Sequence, residues 1–174
     1  LQQTICREGT AVLTDRQNLL LQPGESRTVS FRYCVDSPAL WSPENPNLYT
    51  STMQVLEGEE ELDREETGFG IRTLSIDAAH GVRINGQTVK LRGACIHHDN
   101  GILGAATLPD AEERRIRQLK EAGFNAIRSS HHPAGRALLD ACDRYGVLVM
   151  DELSDVWNVR KNPYDYALYF EQDW

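Results

Sequence analysis

The first third of the chain alternates apolar and polar side chains with the two-residue period that is typical of half-buried β-strands. Three segments are predicted as strands on this basis: residues 10–14, 28–35 and 48–56. In the second of them, Val29, Phe31 and Tyr33 fall on one face, opposite polar residues. Residues 1–66 are therefore predicted to form a small antiparallel β-sandwich. We expect some strands of this sandwich to lie before Leu1.

The pattern changes after a transition at residues 67–85, in which one or two strands are predicted. Asn85-Gly86 is the centre of a predicted hairpin. From there the rhythm is strand, helix, strand, helix, strand, and the strands are predicted at residues 89–95, 124–128 and 147–150. The last is apolar throughout, as in a parallel strand that is covered on both faces. Both connections are long enough for βαβ crossovers, so a parallel sheet is predicted.

Helix signals occupy both crossovers. Asp110 is predicted to cap the first helix, and Glu113 three residues later completes a capping box. Ile116 belongs to the apolar stripe of this helix. The second helix is predicted to begin at Pro133, which is suited to a first turn. A third helix is predicted from Tyr166 onward, and we expect a partner or further chain to cover the open edge of the sheet.

Composition limits the function. The 174 residues are 40% hydrophobic, enough for a core, and the net charge of −8 argues against nucleic-acid or anionic-membrane partners. Seven acidic residues fall between Glu57 and Glu66, which we interpret as a solvated hairpin tip or loop. No apolar run approaches the length of a transmembrane helix.

The four cysteines form no CxxC pair, so neither a zinc ribbon nor a thioredoxin motif is indicated. Cys95 and Cys142 fall inside a predicted strand and a predicted helix, where we expect cysteine to act as a small apolar residue. Cys6 and Cys34 could face each other in the sandwich. The redox compartment is left open.

Polar residues follow each of the three predicted parallel strands. They are His97, His98 and Asp99 after the first strand, Arg128 to His132 after the second, and Asp151, Glu152 and Asp155 after the third. Parallel strands end at one side of a sheet, and ligands bind there. This mixture of donors and acceptors suits a polyhydroxylated ligand, for which Trp157 could supply an apolar platform.

Two of these interpretations have structural alternatives. His97 and His98 are adjacent and point to opposite faces of a strand, so both cannot enter the site. We expect His97 to face the ligand and His98 to be structural. Arg128 could form a buried ion pair with Asp151 or Glu152 that holds neighbouring strands together.

The same residues offer two other kinds of site. Ser130-His131 is not favoured as a nucleophile and base, because the chain has no GxSxG elbow. A metal site from His97, Asp99, His131 and Asp151 has suitable ligand types, but its spacing matches no known metal motif.

Several motifs resemble family-2 glycoside hydrolases, the β-galactosidase and β-glucuronidase group. They are LWSPENPNLYT, FGIRTLSIDAAHGVRINGQTVKLRGACIHHDNGILGAA, FNAIRSSHHP and LLDACDRYGVLVMDE. HHD-G-LGAA together with DELSDVW is most similar to the β-galactosidase-like branch common in gut bacteria. The resemblance implies a multidomain α+β chain: an immunoglobulin-like β-sandwich over residues 1–66, then the first βαβαβ part of a (β/α)8 TIM barrel over residues 67–174, truncated after about three strands.

The resemblance also implies roles for single residues. His97 and His131 match sugar-contacting histidines, and Arg128 matches an arginine near the catalytic centre. The other polar residues lie where the family lines its sugar pocket. The candidate substrate-binding set is His97, His98, Asp99, Arg128, His131, Asp151, Glu152, Asp155 and Trp157. Val156 stands where a related enzyme has a magnesium ligand, so neither a metal nor a cofactor is expected.

The family hydrolyses β-glycosides with retention, using one carboxylic acid as proton donor and a second glutamate as nucleophile. Its proton donor is the Glu of an Asn-Glu pair, and no Asn-Glu dipeptide occurs in this chain. We therefore expect a part of a retaining exo-β-glycosidase, above all a β-galactosidase, that holds no catalytic residue and is inactive alone.

The expected partner is a β-linked sugar, with no nucleic acid and no membrane. A homo-oligomer is left open, and so is the compartment: bacterial cytoplasm, periplasm or secretion. Two other functions remain as alternatives. One is a non-catalytic carbohydrate-binding module, and the other is a metal-dependent hydrolase that uses the histidine cluster.

Overall fold

The structure is a computed structural model that describes residues 1–156 and 159–173. The chain divides into two compact units, Leu1–Thr73 and Leu74–Trp174. Each unit is built on its own sheets. The predicted domain boundary after Glu66 stays a prediction, although the last strand of the first unit runs beyond it to Phe69.

The first unit is an antiparallel sheet of four strands. These are β1 (Gln2–Arg7), β2 (Thr10–Arg16), β3 (Tyr49–Glu57) and β4 (Glu60–Phe69), in the order β2-β1-β3-β4. Ile5, Trp41 and Tyr49 are its buried apolar residues. The strands predicted at residues 10–14 and 48–56 are confirmed within this sheet, and β1 was not predicted.

The acidic segment is a solvated hairpin, as predicted. It turns at Gly58, whose φ of 64° lies in the left-handed region that favours glycine. Residues 60–68 are all exposed, although they form most of strand β4. Exposure of these carboxylates to water avoids the cost of burying unpaired charge.

The predicted strand at residues 28–35 is wrong. Residues 17–40, all of which the structure describes, contain no strand. The alternation is nevertheless real, because Val29, Phe31 and Tyr33 are half-buried and the residues between them are exposed. The rings of Phe31 and Tyr33 stack with centroids 5.8 Å apart. Periodicity reports which side chains are covered, whereas a strand also needs a neighbour that accepts its backbone hydrogen bonds.

The second unit opens with a small antiparallel sheet. Its strands are β5 (Leu74–Asp77), β6 (Gly81–Ile84) and β7 (Gln87–Thr88). Asn85 and Gly86 connect the last two with φ values of 52° and 78°. Two consecutive positive φ angles are what a tight hairpin turn requires, so the predicted hairpin is confirmed.

A parallel sheet follows, and this prediction is confirmed as well. Its strands are β8 (Gly93–Ile96), β9 (Ala126–Ser129) and β10 (Leu148–Met150), in the order β10-β9-β8. Helices α1 (Pro109–Glu121) and α2 (Arg136–Tyr145) connect them, and α3 (Ala167–Asp173) comes last. Each strand begins or ends within a few residues of its predicted bounds.

The core of this unit lies between one face of the sheet and the two helices. Its buried members are Ile116, Ile127, Leu138, Ala141, Cys142 and Val147. Cys142 acts as a small apolar residue, as predicted, and burial raises the pKa of its thiol to about 12. On the opposite face, Cys95, Arg128 and Met150 are exposed, whereas Ala126 is buried.

This uncovered face corrects two predictions. Met150 is 61% exposed, so β10 is not covered on both sides. Cys95 is exposed rather than interior. Both residues pair in register with Arg128 and share its side of the sheet. All four cysteines, including Cys6 and Cys34, are free thiols.

Both predicted helix starts are wrong by a few residues. Helix α1 begins at Pro109, with Leu108 as N-cap and no side-chain cap bond, so Asp110 and Glu113 form no capping box. Pro109 at the first turn, where a missing N–H does no harm, sets this start. Helix α2 begins at Arg136 rather than Pro133, with Gly135 as its N-cap.

Glu113 instead links helix α1 to helix α2. It accepts hydrogen bonds from Arg144 at 2.8 Å and from the Tyr145 hydroxyl at 3.0 Å. Among the described residues, none of the helices combines the length and apolar character that crossing a lipid bilayer requires.

Candidate functional site

The carboxyl ends of β8, β9 and β10 form one rim, because these strands are parallel and hydrogen-bonded in register. His97 directly follows β8, Arg128 is near the end of β9, and Glu152 follows β10 by two residues. His131 lies in the loop after β9. The structure thus brings residues from three separate stretches of sequence to the same edge.

Glu152 joins two of the candidate residues. One carboxylate oxygen, Oε1, accepts a hydrogen bond from Nε of Arg128. The other, Oε2, lies 3.1 Å from Nδ1 of His131. The Glu152 side chain is only 18% exposed, whereas those of Arg128 and His131 are 45% and 44% exposed. The carboxylate is therefore a shielded anchor for two donor side chains that still face solvent.

The charges of this triad follow from its contacts. The hydrogen bond from Arg128 is the main cause that lowers the pKa of Glu152 below its ordinary 4.5, burial opposes it, and His131 adds to it. The same bond raises the pKa of Arg128. Glu152 is thus a carboxylate at neutral pH. Because a carboxylate only accepts hydrogen bonds, Nδ1 of His131 is the donor in this contact, and Nε2 of His131 remains for a ligand.

The four histidines at the rim form two pairs. The rings of His97 and His131 meet edge to face with centroids 5.7 Å apart. The rings of His98 and His132 are closer, at 4.3 Å, with their Nδ1 atoms 2.9 Å apart. His97 and His98 therefore have different partners, and only His97 adjoins the triad of Arg128, His131 and Glu152.

Two of the three candidate aspartates accept hydrogen bonds from backbone N–H groups. Oδ1 of Asp99 accepts the Gly101 N–H at 3.0 Å, and Oδ1 of Asp151 accepts the Ala134 N–H at 2.9 Å. Asp155 lies 4.0 Å from the Lys161 ammonium. Asp99 and Asp151 thereby order the loops around the rim. Trp157 lies outside the described residues.

The polar contacts of Arg128 and Ser130 bear on the structural alternatives. Arg128 forms an ion pair that links neighbouring strands, and its partner is Glu152 rather than Asp151. Ser130 is buried, and its hydroxyl has no hydrogen-bond partner among the described residues, so it makes no nucleophile–base contact with His131. Within the same residues, no three histidine, cysteine, aspartate or glutamate side chains are grouped to hold a metal ion.

Two residues near the rim were missed by sequence reasoning. Sγ of Cys95 lies 3.8 Å from Nη1 of Arg128, because the two residues are opposite each other in the β8–β9 register. Arg115 of helix α1 donates to the backbone after β8. Aligning the two predicted strands in register would have placed Cys95 opposite Arg128. No sequence pattern distinguishes Arg115 from its neighbours Arg114 and Arg117.

With this geometry in place, comparison with known proteins defines the class. Residues 78–165 match the model described as "Glycosyl hydrolases family 2, TIM barrel domain", and residues 2–72 match "Glycosyl hydrolases family 2". Together these matches span most of the chain. The chain therefore belongs to glycosyl hydrolase family 2, and it carries a sandwich segment followed by the start of the barrel.

Curated relatives agree with this assignment. The chain is 44% identical over 165 residues to "Beta-galactosidase BoGH2A" of Bacteroides ovatus, a match covering 95% of this chain and 19% of the relative. It is 41% identical over 140 residues to a "Putative beta-glucuronidase" of Formosa agariphila, covering 80% of this chain and 13% of the relative. The chain thus spans less than a fifth of the length of these relatives.

Solved structures share the fold. A glycosyl hydrolase family 2 member from Bacteroides cellulosilyticus superposes with a TM-score of 0.91 at 43% identity, covering 98% of this chain and 22% of that structure. A β-glucuronidase from Bacteroides uniformis gives 0.85 at 34% identity, covering 93% and 20%.

Proposed function

We propose that this chain is part of a retaining exo-β-glycosidase, with a β-galactoside as the leading substrate, and that its rim forms one wall of the sugar pocket. The proposed wall comprises His97, Asp99, Arg128, His131 and Glu152. The groups that cleave the glycosidic bond are proposed to come from outside these 174 residues. The activity of the whole protein is part of this proposal.

The arrangement of Arg128, His131 and Glu152 carries the proposal. A half-buried carboxylate that holds a guanidinium and an imidazole gives both donors fixed directions before a ligand arrives. A sugar hydroxyl both donates and accepts, so it is matched by Nε2 of His131 and by the free guanidinium N–H groups of Arg128. Preorganised donors of this kind lower the cost of ordering side chains on binding.

The same contacts support the view that Glu152 is not the proton donor. A general acid must carry a proton at the working pH, which requires a raised pKa. Arg128 lowers the pKa of Glu152 instead. Both oxygens of the carboxylate are also engaged, so neither is free to attack a sugar. Its proposed role is to orient Arg128 and His131.

The names of the relatives suggest which sugar to test first. One curated relative is a β-galactosidase and another is a putative β-glucuronidase. These substrates differ at C6, where glucuronides carry a carboxylate, and in the configuration at C4. The resemblance of the HHD-G-LGAA segment to the β-galactosidase-like branch favours the galactoside.

The direct test is a panel of aryl β-glycosides offered to the protein made from the complete reading frame that contains this chain. The panel should hold galactoside, glucoside, glucuronide and mannoside, with the anomer formed first followed by NMR. We expect the galactoside to give the highest kcat/KM, with β-anomer released first. Release of the α-anomer first, or no hydrolysis of any member, contradicts the proposal.

The alternative function is that of a non-catalytic carbohydrate-binding module formed by the first unit. It predicts that the sugar affinity of the complete protein survives Arg128→Ala and His131→Ala. The proposal predicts that both substitutions weaken this affinity strongly. Titration of ¹⁵N-labelled protein with galactose distinguishes the two by the chemical shifts that move.

A further inference from the structure

The loop that carries His97 and Asp99 is held from the side of helix α1. Asn100 bonds within the loop, since its N–H donates to the Gly104 carbonyl at 2.8 Å and its Nδ2 donates to the Ala106 carbonyl at 3.0 Å. These bonds shape the loop but do not fix it to the barrel. Contacts with α1 do so.

Arg115 makes most of those contacts. Its guanidinium donates to the carbonyl of His97 at 3.1 Å, to the carbonyl of Asp99, and to Oδ1 of Asn100 at 2.6 Å. One side chain thus binds three of the four loop positions from 97 to 100, the exception being His98. A planar fork of five N–H donors suits this task, whereas a lysine ammonium offers a single point of charge.

Glu112 holds the fork in place from the interior. Its side chain is 1% exposed, and Oε2 lies 3.5 Å from Nη1 of Arg115. Its other oxygen accepts the second Nδ2 hydrogen of Asn100 at 2.8 Å. A buried carboxylate needs a charged partner and hydrogen bonds. Oε2 has no hydrogen-bond partner in the described residues, so its 3.5 Å ion pair with Arg115 is what compensates its burial. The loop, the arginine and the glutamate therefore form one connected network.

We infer that Arg115 is a positioning residue: through the His97 and Asp99 carbonyls it sets the place of the loop that contributes to the sugar pocket. This inference rests on the proposed function, and it assigns to helix α1 a role in substrate affinity. Arg115 touches no sugar in this scheme. It acts by fixing the backbone from which His97 projects.

The test compares three variants of the complete protein. Arg115→Ala removes the fork and leaves Glu112 buried without its cation, so it is expected to unfold more readily. Arg115→Lys keeps a positive charge for Glu112 but loses the fork, so the fold should survive. Arg117→Ala is the matched control, since Arg117 is on the same helix, has a 53% exposed side chain and forms an ion pair with Glu121 at 3.8 Å.

Two readouts are needed. In hydrogen–deuterium exchange, Arg115→Lys should speed exchange in the peptide spanning residues 97–106 and leave residues 126–129 unchanged. In kinetics with an aryl β-galactoside, kcat/KM should fall on the order of 10- to 100-fold, with a clear rise in KM. A purely structural role lowers the amount of active protein, which reduces kcat and leaves KM unchanged.

The outcomes distinguish failure of the positioning role of Arg115 from failure of the proposed function. Wild-type exchange in the loop of Arg115→Lys, or a change equal to that of Arg117→Ala, overturns the inference whatever the activity. Faster exchange in the loop with unchanged KM also overturns it, because the loop would then not affect substrate binding. Absence of glycosidase activity in the wild-type protein refutes the proposed function, and the exchange result still shows whether Arg115 holds the loop.

Discussion

Gly93 in strand β8 gives the sharpest prediction for the barrel segment. A β-carbon added at this position would lie 2.7 Å from the carbonyl oxygen of Ala126, 3.0 Å from its carbonyl carbon and 3.1 Å from its Cβ. The nearest of these atoms belongs to the backbone of the paired strand β9. Gly93→Ala must therefore push β8 away from β9 at the position where the two strands are in register.

The cost can be compared with a control from the same chain. Overpacking of this kind costs about 1–3 kcal/mol. Alanine also restricts the unfolded chain, which returns about 0.4–1 kcal/mol. Gly68 in strand β4 is also an exposed strand glycine, but an added β-carbon there meets no atom within 4 Å. Gly93→Ala should therefore destabilise by roughly 1–2 kcal/mol, whereas Gly68→Ala should be neutral or stabilising.

The assay is urea unfolding of both variants, followed by circular dichroism and supported by thermal melts. A loss of 1 kcal/mol corresponds to a fall of roughly 4–8 °C in Tm for a domain of about 100 residues. The two substitutions should shift the midpoint in opposite directions or by clearly different amounts. Equal midpoints for Gly93→Ala and Gly68→Ala would refute the close approach of β8 and β9.

Three further predictions concern the core, the thiols and pH. Leu138→Ala, at a 3% exposed core position, should lower the free energy of unfolding by about 2–5 kcal/mol in urea titrations, and a loss below 1 kcal/mol would contradict the described core. The Cys142 thiol, with its pKa raised to about 12, should resist iodoacetamide at pH 8 while the exposed Cys34 reacts, a difference that mass spectrometry of tryptic peptides will show. Because Arg128 lowers the pKa of Glu152, their pair should stabilise the fold above pH 4.5 and lose this effect as pH falls through the lowered pKa. The Tm difference between wild type and Glu152→Gln should accordingly shrink in acid, and parallel Tm curves would argue against the pair.

The parallel sheet was predictable because its signals are local and mutually consistent. Apolar runs such as residues 147–150 and helix-forming crossovers point to the same topology. The segment at 28–35 was mispredicted for a physical reason. Its burial alternates as in a strand, but pairing depends on a neighbour that local sequence does not specify. The helix starts were shifted because Pro109 and Gly135 determined them, rather than Asp110 or Pro133.

The rim was predictable in outline, since parallel strands bring their polar ends to one edge. The partner of each side chain was not. Arg128 could be expected to pair with Asp151 or Glu152, and only the geometry distinguishes them. Arg115 was missed because a helix arginine that reaches a loop 15 to 18 residues away has no sequence spacing of its own.

Kinetics of Arg128→Ala in the complete protein test the central claim most directly, since Arg128 is either a wall of the sugar pocket or only a brace between strands. Arg117→Ala serves as the control, and the Tm of each variant is recorded beside its rates. If the rim binds the sugar, kcat/KM for an aryl β-galactoside should fall on the order of 100-fold in Arg128→Ala, while Arg117→Ala stays near wild type. A fully folded Arg128→Ala protein with wild-type kcat/KM would contradict the account.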